Sequence, residues 1–446
     1  MANQASEDLG TKPISDLIIA QSVPAAIGIL VMSLNMIVDT IFVGNFIGAV
    51  AIAVITVVLP IVFLIASIGM AVGVGGASII SRAFGANNDE KAQHIFGNQL
   101  VLSLGLSISL AGLGLYFADE ALALFGAQGE VLAPARVYYN IVMASAPFLA
   151  MVMTGNPVIR AEGQPTFSMI ALIVPSVANL ILDYVLIVVY DFGIAGAGYA
   201  TAFAYLFSFL YICWFFTSTH SELKIKLKCL VLEWSIVKEI GALGGVTLAR
   251  QGVISVLSIV LNNSLVAYGG GTALAAYGII SRMLMFALFP VMGIAQGYQP
   301  IAGFNYGAEK FDRVRETINK SILYATSLAV LVFIIIMFFP NQIVRIFTTD
   351  VEILQLTPNA LRIVFAITPL IAIQLIGSSY FQAIGKAGPA LLLSLSKQGF
   401  FLIPLLLVLP DYLGLLGIWM SFPIADFLST SLTWFYLRQE LRDNLK

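Results

Sequence analysis

Long, uninterrupted apolar runs constrain this chain more than any other feature of its sequence. We count twelve such runs between residues 16 and 437, each longer than twenty residues. A helix needs about 20 consecutive apolar residues to cross a bilayer, whereas membrane β-strands would show roughly ten-residue stretches of alternating polarity. The runs therefore predict an all-α membrane protein with twelve transmembrane helices. The predicted spans cover residues 16–43, 50–81, 93–117, 131–160, 166–190, 194–217, 236–267, 273–300, 314–339, 355–384, 388–410 and 413–437.

The composition excludes most soluble classes of protein. Charged residues make up 10% of the chain and hydrophobic residues 59%, whereas soluble domains carry about 25% charged residues. A net charge of −2 provides no basic surface for nucleic acid, and no GxxxxGK[ST] motif is present for ATP hydrolysis. The start of the chain lacks the basic segment of a signal peptide, so we expect the first apolar run to remain in the mature protein. The lipid bilayer, and no nucleic acid, is the expected partner.

Lysine and arginine are distributed unevenly over the predicted connections. Of the 22 basic residues, 16 fall at the N-terminus, in the even-numbered connections and at the C-terminus. Two fall on the opposite side, and four lie within predicted spans. This asymmetry follows the positive-inside rule, which places the basic side in the cytoplasm. We therefore expect both termini to be cytoplasmic.

The chain also contains an internal repeat. Residues 84–86 (Phe-Gly-Ala) recur 222 positions later as residues 306–308 (Tyr-Gly-Ala), and Gly163 recurs as Gly385. Six spans in each half mean that both halves enter the membrane in the same direction. That arrangement predicts two six-helix lobes related by a pseudo-two-fold axis along the membrane normal.

The predicted lobes are joined by one long polar segment. They cover residues 1–217 and 236–446, and residues 218–235 form a cytoplasmic linker. Two lobes with a cleft between them are typical of alternating-access transporters, whereas channels are more often rings around a pore.

Two acidic residues lie deep in predicted spans of the first half. Asp39 lies in the first span and Asp183 in the fifth, and each follows an asparagine, Asn35 or Asn179, by four residues on the same helical face. A charge at the bilayer centre costs about 2.5–3.5 kcal/mol on insertion scales, so it needs a partner or a function. Two more polar residues of this half are candidates: Asn156 in the fourth span and Thr201 in the sixth.

The second repeat does without these carboxylates. At an offset of 222, Asp39 corresponds to Leu261 and Asp183 corresponds to Leu405. The scaffold therefore does not require the acids, which favours a functional cluster of oxygen atoms suited to Na⁺ or H⁺ and not to a transition metal. The alternative is that the acids only hydrogen-bond between packed helices.

Charged residues in the second half give weaker signals. They could line a cavity, snorkel towards an interface, or pair with one another, and we favour structural pairing with Asp426 as the acidic partner. These residues are Arg250, Arg282, Arg362, Lys397 and Asp426.

Gly69 and Gly73 form a GxxxG motif. No strand precedes it, as a nucleotide-binding loop would require, so the motif predicts close helix packing.

Pro24 lies fifteen residues before Asp39 in the first span. A mid-helix proline removes a backbone hydrogen bond and permits a bend, so the first span is a candidate moving part.

Several local strings resemble those of the multidrug and toxic compound extrusion (MATE) transporters, nearest the bacterial DinF- and MepA-like branch. They include residues 38–44 (VDTIFVG), 145–148 (SAPF) and 347–350 (FTTD). The resemblance extends over nearly the whole chain, and it implies a location in the bacterial inner membrane. It implies a cation site in the first lobe and a hinge at Pro24. The implied site residues are Asp39, Asn156, Asn179, Asp183 and Thr201.

One branch of the family is matched less well. NorM-like transporters place their acids in the second lobe, on the seventh and tenth helices. Here those spans carry Arg250-Gln251, Arg362 and Gln374 instead, which argues against a cation site in the second lobe.

The expected function is an antiporter with no cofactor beyond its coupling ion, H⁺ or Na⁺, and acting as a monomer. Its expected cargo is bulky drugs, often organic cations or amphipathic molecules, with Met32, Asn35 and Met36 as candidate contacts. A lipid-linked precursor flippase of the same superfamily is the nearer alternative, and it would need a basic cavity. An intramembrane enzyme or a receptor is a further alternative that no catalytic spacing or signalling domain supports.

Overall fold

A computed structural model describes residues 2–444, with side chains described from residue 5, and within this range the chain is almost entirely helical. The first half contains α1 (Ala2–Thr11), α2 (Ile14–Phe46), α3 (Ala49–Gly85), α4 (Asp89–Tyr116), α5 (Ala118–Leu124), α6 (Leu132–Ala144), α7 (Ala146–Ala161), α8 (Pro165–Asp183) and α9 (Gly193–Thr217). The second half contains α10 (Trp234–Gly307), α11 (Phe311–Phe338), α12 (Pro340–Phe347), α13 (Val351–Val364), α14 (Ile371–Ala383), α15 (Ala387–Leu395), α16 (Ile403–Leu413) and α17 (Leu415–Asp443).

These helices account for all twelve predicted spans. In residues 2–444, ten helices are long and apolar enough to cross a membrane, and the pair α6 and α7, bent by 48°, adds an eleventh. The 74-residue helix α10 breaks at Gly270, whose φ is 63°. A straight helix of that length would measure about 110 Å, against about 30 Å of hydrocarbon, so its arms 234–269 and 271–307 are two spans. The predicted fold class is confirmed.

The backbone repeats itself in the way that the sequence predicts. Within residues 2–444, eleven residues have positive φ, and eight of them form four pairs separated by 221 or 222 positions. The pairs are Gly48 with Gly270, Asn87 with Glu309, Gly163 with Gly385, and Gly193 with Gly414. Helix α3 and the second arm of α10 begin and end 222 residues apart, as do α4 and α11. The turns that end the helices are thus common to both repeats.

The chain folds into two compact units. The first comprises residues up to Thr11 together with Ile27–Thr247, and the second comprises Lys12–Ala26 together with Leu248–Lys446. Helix α2 therefore contributes its first part to the second unit and the rest to the first. The lobe boundaries predicted from the repeat remain a prediction.

Each unit has its own apolar core. In the first unit α3 and α6 contribute half of the buried side chains of the core, including Val54, Ile65 and Tyr139. In the second unit the core includes Leu261, Phe365 and Trp419. Each core holds its spans at fixed positions, so polar side chains inside a unit are placed by the packing around them.

Close backbone approach fixes α3 against α7, as the GxxxG motif predicts. A Cβ atom at Gly69 would lie 2.5 Å from the carbonyl oxygen of Ala150, and one at Gly73 would lie 2.7 Å from that of Met153. Backbone atoms cannot move aside as side chains can. The two glycines therefore allow a helix separation that no other residue permits.

We predict that Gly73→Ala destabilises the protein by about 1–3 kcal/mol, because the added methyl group overpacks the contact with α7. The matched control is Gly105→Ala in α4, where a Cβ atom would meet nothing within 4 Å. There the change should leave stability unchanged or raise it, since alanine favours helix over glycine. Thermal unfolding of the detergent-purified proteins measures both. A Gly73→Ala variant as stable as the Gly105→Ala variant would contradict the assigned packing.

Candidate functional site

The two intramembrane acids of the first unit meet in the structure. Asp183, the last residue of α8, is 0% exposed, and Asp39 on α2 is partly buried. Their carboxyl groups lie within interacting distance of each other. Among residues 2–444, no donor makes a regular hydrogen bond to Oδ1 of Asp39 or to either carboxylate oxygen of Asp183. Buried carboxylate oxygens without donors are costly, and a proton or a cation at the pair would lower this cost.

A hydrogen bond between two asparagine side chains places the two acids at the same depth in the membrane. Nδ2 of Asn35 donates to Oδ1 of Asn179 over 3.1 Å. Each asparagine lies one helical turn before the acid of its own helix. Because the first and fifth spans run in the same direction, this bond brings Asp39 and Asp183 to the same height.

A hydroxyl and two phenols complete the surroundings of the acids. Thr201 and Tyr205 lie one turn apart on α9, and Tyr138 lies on α6. The Tyr138 hydroxyl is within hydrogen-bonding reach of Thr201, and both tyrosines interact electrostatically with Asp39. The sequence analysis did not identify the tyrosines, because an aromatic residue in an apolar span is usually packing. The four-residue spacing of Thr201 and Tyr205 was the available signal.

The backbone changes pitch immediately after Asp183. Residues Tyr184–Val189 form a π-helical turn. Such turns are rare and often occur at functional sites, because the extra residue per turn re-aims side chains. The regular α-helical geometry of α8 therefore ends at Asp183.

Asn156 lies elsewhere. Its Nδ2 donates to the carbonyl oxygen of Ser168 over 2.7 Å, and its Oδ1 accepts from Arg160. Ser168 and Asp183 are both on α8, fifteen residues apart, which corresponds to about 22 Å along the helix. The structure therefore brings Asp39, Asn179, Asp183 and Thr201 together but does not bring Asn156 to them.

Arg160, the partner of Asn156, is not a solvent-exposed residue of a connection. It is buried in the last turn of α7. It donates to Asn156 and, over 2.9 Å, to Oγ of Ser168. These contacts hold α7 against α8. Asn156 and Arg160 are therefore satisfied by hydrogen bonds between helices, which the buried oxygens of Asp39 and Asp183 lack.

The candidate drug contacts lie on the same face of helix α2 as Asp39. Met32, Asn35, Met36 and Asp39 follow the spacing i, i+3, i+4, i+7 of one helical face. Met32 and Met36 are 43% and 41% exposed. The opposite face is also exposed but purely apolar, as expected for lipid contact. Asparagine and aspartate are too polar for lipid, so the methionine-bearing face is the one suited to water and cargo.

Pro24 lies inside α2, close to the position where the helix passes from one unit to the other. In the second unit, the residues around it pack on a second GxxxG motif. A Cβ at Gly293 would lie 2.6 Å from Cβ of Ala26, and one at Gly297 would lie 2.7 Å from the Ser22 nitrogen. The segment of α2 that contains Pro24 is thus packed closely in the second unit, and the residues from Ile27 onwards belong to the first unit.

In the second unit the intramembrane acid has a cationic partner from the same unit. Leu261, the counterpart of Asp39, is 1% exposed in the apolar core. Nζ of Lys397 contacts Oδ1 of Asp426 over 2.6 Å, and both side chains are largely buried. The expected pairing of Asp426 is confirmed, with Lys397 as its partner. The second unit therefore supplies a cation to its own acid, whereas the first unit does not.

Known proteins share both the sequence pattern and the fold of this chain. The family described as MatE matches residues 24–185 and 249–408, most of the chain. The chain belongs to the MatE family. It is 28% identical to the multidrug export protein MepA of Staphylococcus aureus (strain N315), over 93% of this chain and 91% of that protein. It is also 28% identical to MepA of Staphylococcus haemolyticus (strain JCSC1435), over 95% and 93%.

Solved structures agree with this assignment. The chain is similar to an outward-facing multidrug resistance MATE transporter of the MOP superfamily, with a TM-score of 0.91, 25% identity and 97% of each chain covered. It is also similar to a MATE protein in a bent conformation, with a TM-score of 0.92, 25% identity, and 99% and 97% covered. The protein is a multi-pass membrane protein of the MATE multidrug efflux family, as its sequence predicts.

The remaining arginines of this MatE-family chain occupy different settings. Arg282 and Arg362 are exposed, and Arg250 is partly buried. Nε of Arg362 donates to the carbonyl oxygen of Met337 over 3.2 Å. In the part of the chain that the structure describes, no hydrogen bond or ion pair joins any two of the three.

A buried acid at the cytoplasmic end of α7 also escaped the sequence analysis. Glu162 accepts from Oγ of Ser221 over 2.8 Å and from the backbone nitrogens of Glu222 and Leu223. Burial raises the pKa of Glu162 to about 8. The carboxyl group thus binds the linker to the turn after α7. Its position between Arg160 and the repeated Gly163 was the available signal.

We predict that cysteines at positions 39 and 183 can be bridged and that cysteines at 156 and 183 cannot. Asp39→Cys with Asp183→Cys would be made in a chain whose own cysteines, both free, carry Cys213→Ser and Cys229→Ser. The 39/183 pair should bind Cd²⁺ or oxidise, because the two carboxyl groups interact in the structure.

The control is Asn156→Cys with Asp183→Cys. Loss of reactive thiol in the membrane-embedded protein is the measurement. Equal bridging of both pairs, or bridging of the 156/183 pair alone, would contradict the arrangement of the site.

Proposed function

We propose that this MatE-family protein is a cation-coupled antiporter that exports bulky, often cationic or amphipathic drugs by alternating access. The observation that supports this proposal most directly is the meeting of two carboxyl groups in the first unit. Oδ1 of Asp39 and both carboxylate oxygens of Asp183 are buried without a hydrogen-bond donor among residues 2–444. A site of this kind binds a cation or proton in one state and gives it up in another.

The donor set suits a hard cation. Carboxylate oxygens come from Asp39 and Asp183, an amide oxygen from Asn179 and a hydroxyl from Thr201. Oxygen ligands of this type prefer alkali ions or protons to transition metals. H⁺ and Na⁺ both fit this set, so the coupling ion is an outcome of the experiment below.

Competition between ion and cargo gives the coupling. With a proton or Na⁺ bound, the acid pair is largely neutralised, and a lipophilic cation gains little from the site. When the ion leaves, negative charge remains on the face of α2 that also carries Met32 and Met36, and a drug cation is attracted there. Ion binding from outside then reverses the preference and releases the drug.

Pro24 is the proposed hinge of this exchange. Ser22 before it and Ala26 after it pack tightly on Gly297 and Gly293 in the second unit, and the residues from Ile27 belong to the first unit. A proline lacks the backbone donor that would resist bending. A change in charge at Asp39 therefore acts on a helix that bends most easily at one known position.

The names of the relatives support the class of cargo. MepA of both staphylococci is called a multidrug export protein. The bacterial relatives support a location in the inner membrane, and the predicted distribution of basic residues supports cytoplasmic termini. The proposal takes the monomer as the transporting unit.

The flippase alternative requires a basic cavity for a pyrophosphate group. The intramembrane charge of the first unit is acidic, and in residues 2–444 no contact gathers Arg250, Arg282 and Arg362. The drug antiporter therefore fits the observed charges better.

The test is drug uptake by everted membrane vesicles that contain wild-type protein, Asp39→Asn or Asp183→Asn. Each variant should slow the uptake of a fluorescent lipophilic cation such as ethidium by about tenfold or more. The reason is that loss of one charged contact to the ion costs about 1.5–3 kcal/mol. Collapsing the pH gradient and the Na⁺ gradient separately identifies the coupling ion.

The matched control is Asp191→Asn. This residue lies eight positions after Asp183 and has a φ of 54°, a conformation that asparagine adopts readily. It should transport as the wild type does. Normal gradient-driven uptake by Asp39→Asn, at equal expression, would exclude the proposed coupling.

A further inference from the structure

A groove runs along the surface of the second unit, beside α13 and α17. Its volume is about 560 Å³, within the range of roughly 300–1,000 Å³ that is typical of small-molecule sites. Its lining is apolar except for one residue. The lining residues are Arg362, Ile363, Ala366, Ile367, Met420, Pro423, Ile424, Phe427 and Leu428.

Arg362 is held in a defined position at this groove. Its Nε donates to the carbonyl oxygen of Met337, in the last turn of α11. Free carbonyl groups at a helix carboxyl end attract a cation. Among residues 2–444 the guanidinium makes no ion pair, and its Nη atoms have no hydrogen-bond partner. A guanidinium fork that faces an apolar groove is therefore left without an anion.

The guanidinium lies at the depth of lipid headgroups. Lys320 lies towards the start of α11, on the basic, cytoplasmic side of the predicted topology, so the end of α11 at Phe338 lies at the opposite membrane surface. From there the groove continues inward along α17 from Met420 to Leu428, about 12 Å. One end of the groove thus carries a positive charge at the membrane surface, and the rest of the groove is apolar.

The backbone beside the groove is irregular. Helix α13 ends at Val364 and α14 begins at Ile371, and Ala366 and Ile367 between them line the groove. Irregular backbone at membrane depth is not found exposed to lipid tails alone; it lines a cavity or contacts polar groups. An amphiphile with a polar head and an apolar tail satisfies both ends of this surface.

The internal repeat again acts as a control. The counterpart of Arg362, 222 positions earlier, is Asn140. The scaffold therefore does not need a charge there. The observed bond to Met337 uses only one of the five donors of this arginine, so donors remain for an anion.

We propose that this groove is a binding site for one anionic phospholipid of the non-cytoplasmic leaflet. The lipid phosphate accepts the two Nη groups of Arg362, and one acyl chain lies along α17. Phosphatidylglycerol is preferred to phosphatidylethanolamine, because the ammonium group of the latter would be repelled by the guanidinium. The charge complementarity favours a lipid over a second copy of the chain, since no lining residue is acidic.

Native mass spectrometry of the full-length protein, in a neutral detergent with added lipid, tests this assignment. Wild-type protein should retain one phosphatidylglycerol in preference to phosphatidylethanolamine. Arg362→Met should weaken this binding by about tenfold, the loss expected for a hydrogen bond to a charged group. Ala366→Phe, which fills the groove without removing charge, should weaken it as well. The matched control is Arg345→Met on α12, another exposed arginine at the same membrane surface.

Each other outcome is decisive. Equal affinity of wild type and Arg362→Met, or equal binding of the two lipids, would overturn the proposal. Displacement of the lipid by inorganic phosphate alone would show a simple anion site and would overturn the role of the groove. A dimer in place of the lipid complex would assign the surface to a second copy. Thermal unfolding of each variant confirms that it is folded, and drug transport is not needed for the readout.

Discussion

Two carboxyl groups meet inside a membrane-spanning unit, and their buried oxygens have no hydrogen-bond donor among residues 2–444. The Asn35–Asn179 bond and the packing of α8 against its neighbours hold them together. A proton or cation would lower the cost of burying such a pair. The proposed ion binding and the stability of the fold are therefore linked.

The two repeats show what the scaffold needs and what it does not. They share their turns, down to the positive φ of Asn87 and Glu309. They differ in their intramembrane charges. In the second unit Asp426 is neutralised by Lys397 of the same unit, so it does not depend on an ion from solution. In the first unit no described basic residue pairs with Asp39 or Asp183, so under the proposed function only that unit couples to an ion gradient.

Much of the fold could be read from the sequence, because bilayer thickness sets the length of each apolar run. The twelve spans, the repeat and the close packing at Gly73 were all predicted. The break between α13 and α14 and the π-helical turn after Asp183 were not, because both lie within continuous apolar runs. At the site, helical spacing identified Asp39 and Asp183. Helical spacing could not show that Asn156 lies apart from the acids, because its distance from them depends on which turn of α8 it contacts. It also could not identify Tyr138, because the proximity of a tyrosine to an acid on another helix leaves no pattern in a single sequence.

The most direct measurement is ion release when drug binds to the purified protein. In a weakly buffered detergent solution, drug is added while a pH indicator follows H⁺ and bound ²²Na⁺ is counted. The account predicts that drug displaces H⁺ or Na⁺ from the wild type and displaces neither from the double variant Asp39→Asn, Asp183→Asn. Drug binding to the wild type without release of either ion, or equal release from the double variant, would contradict it.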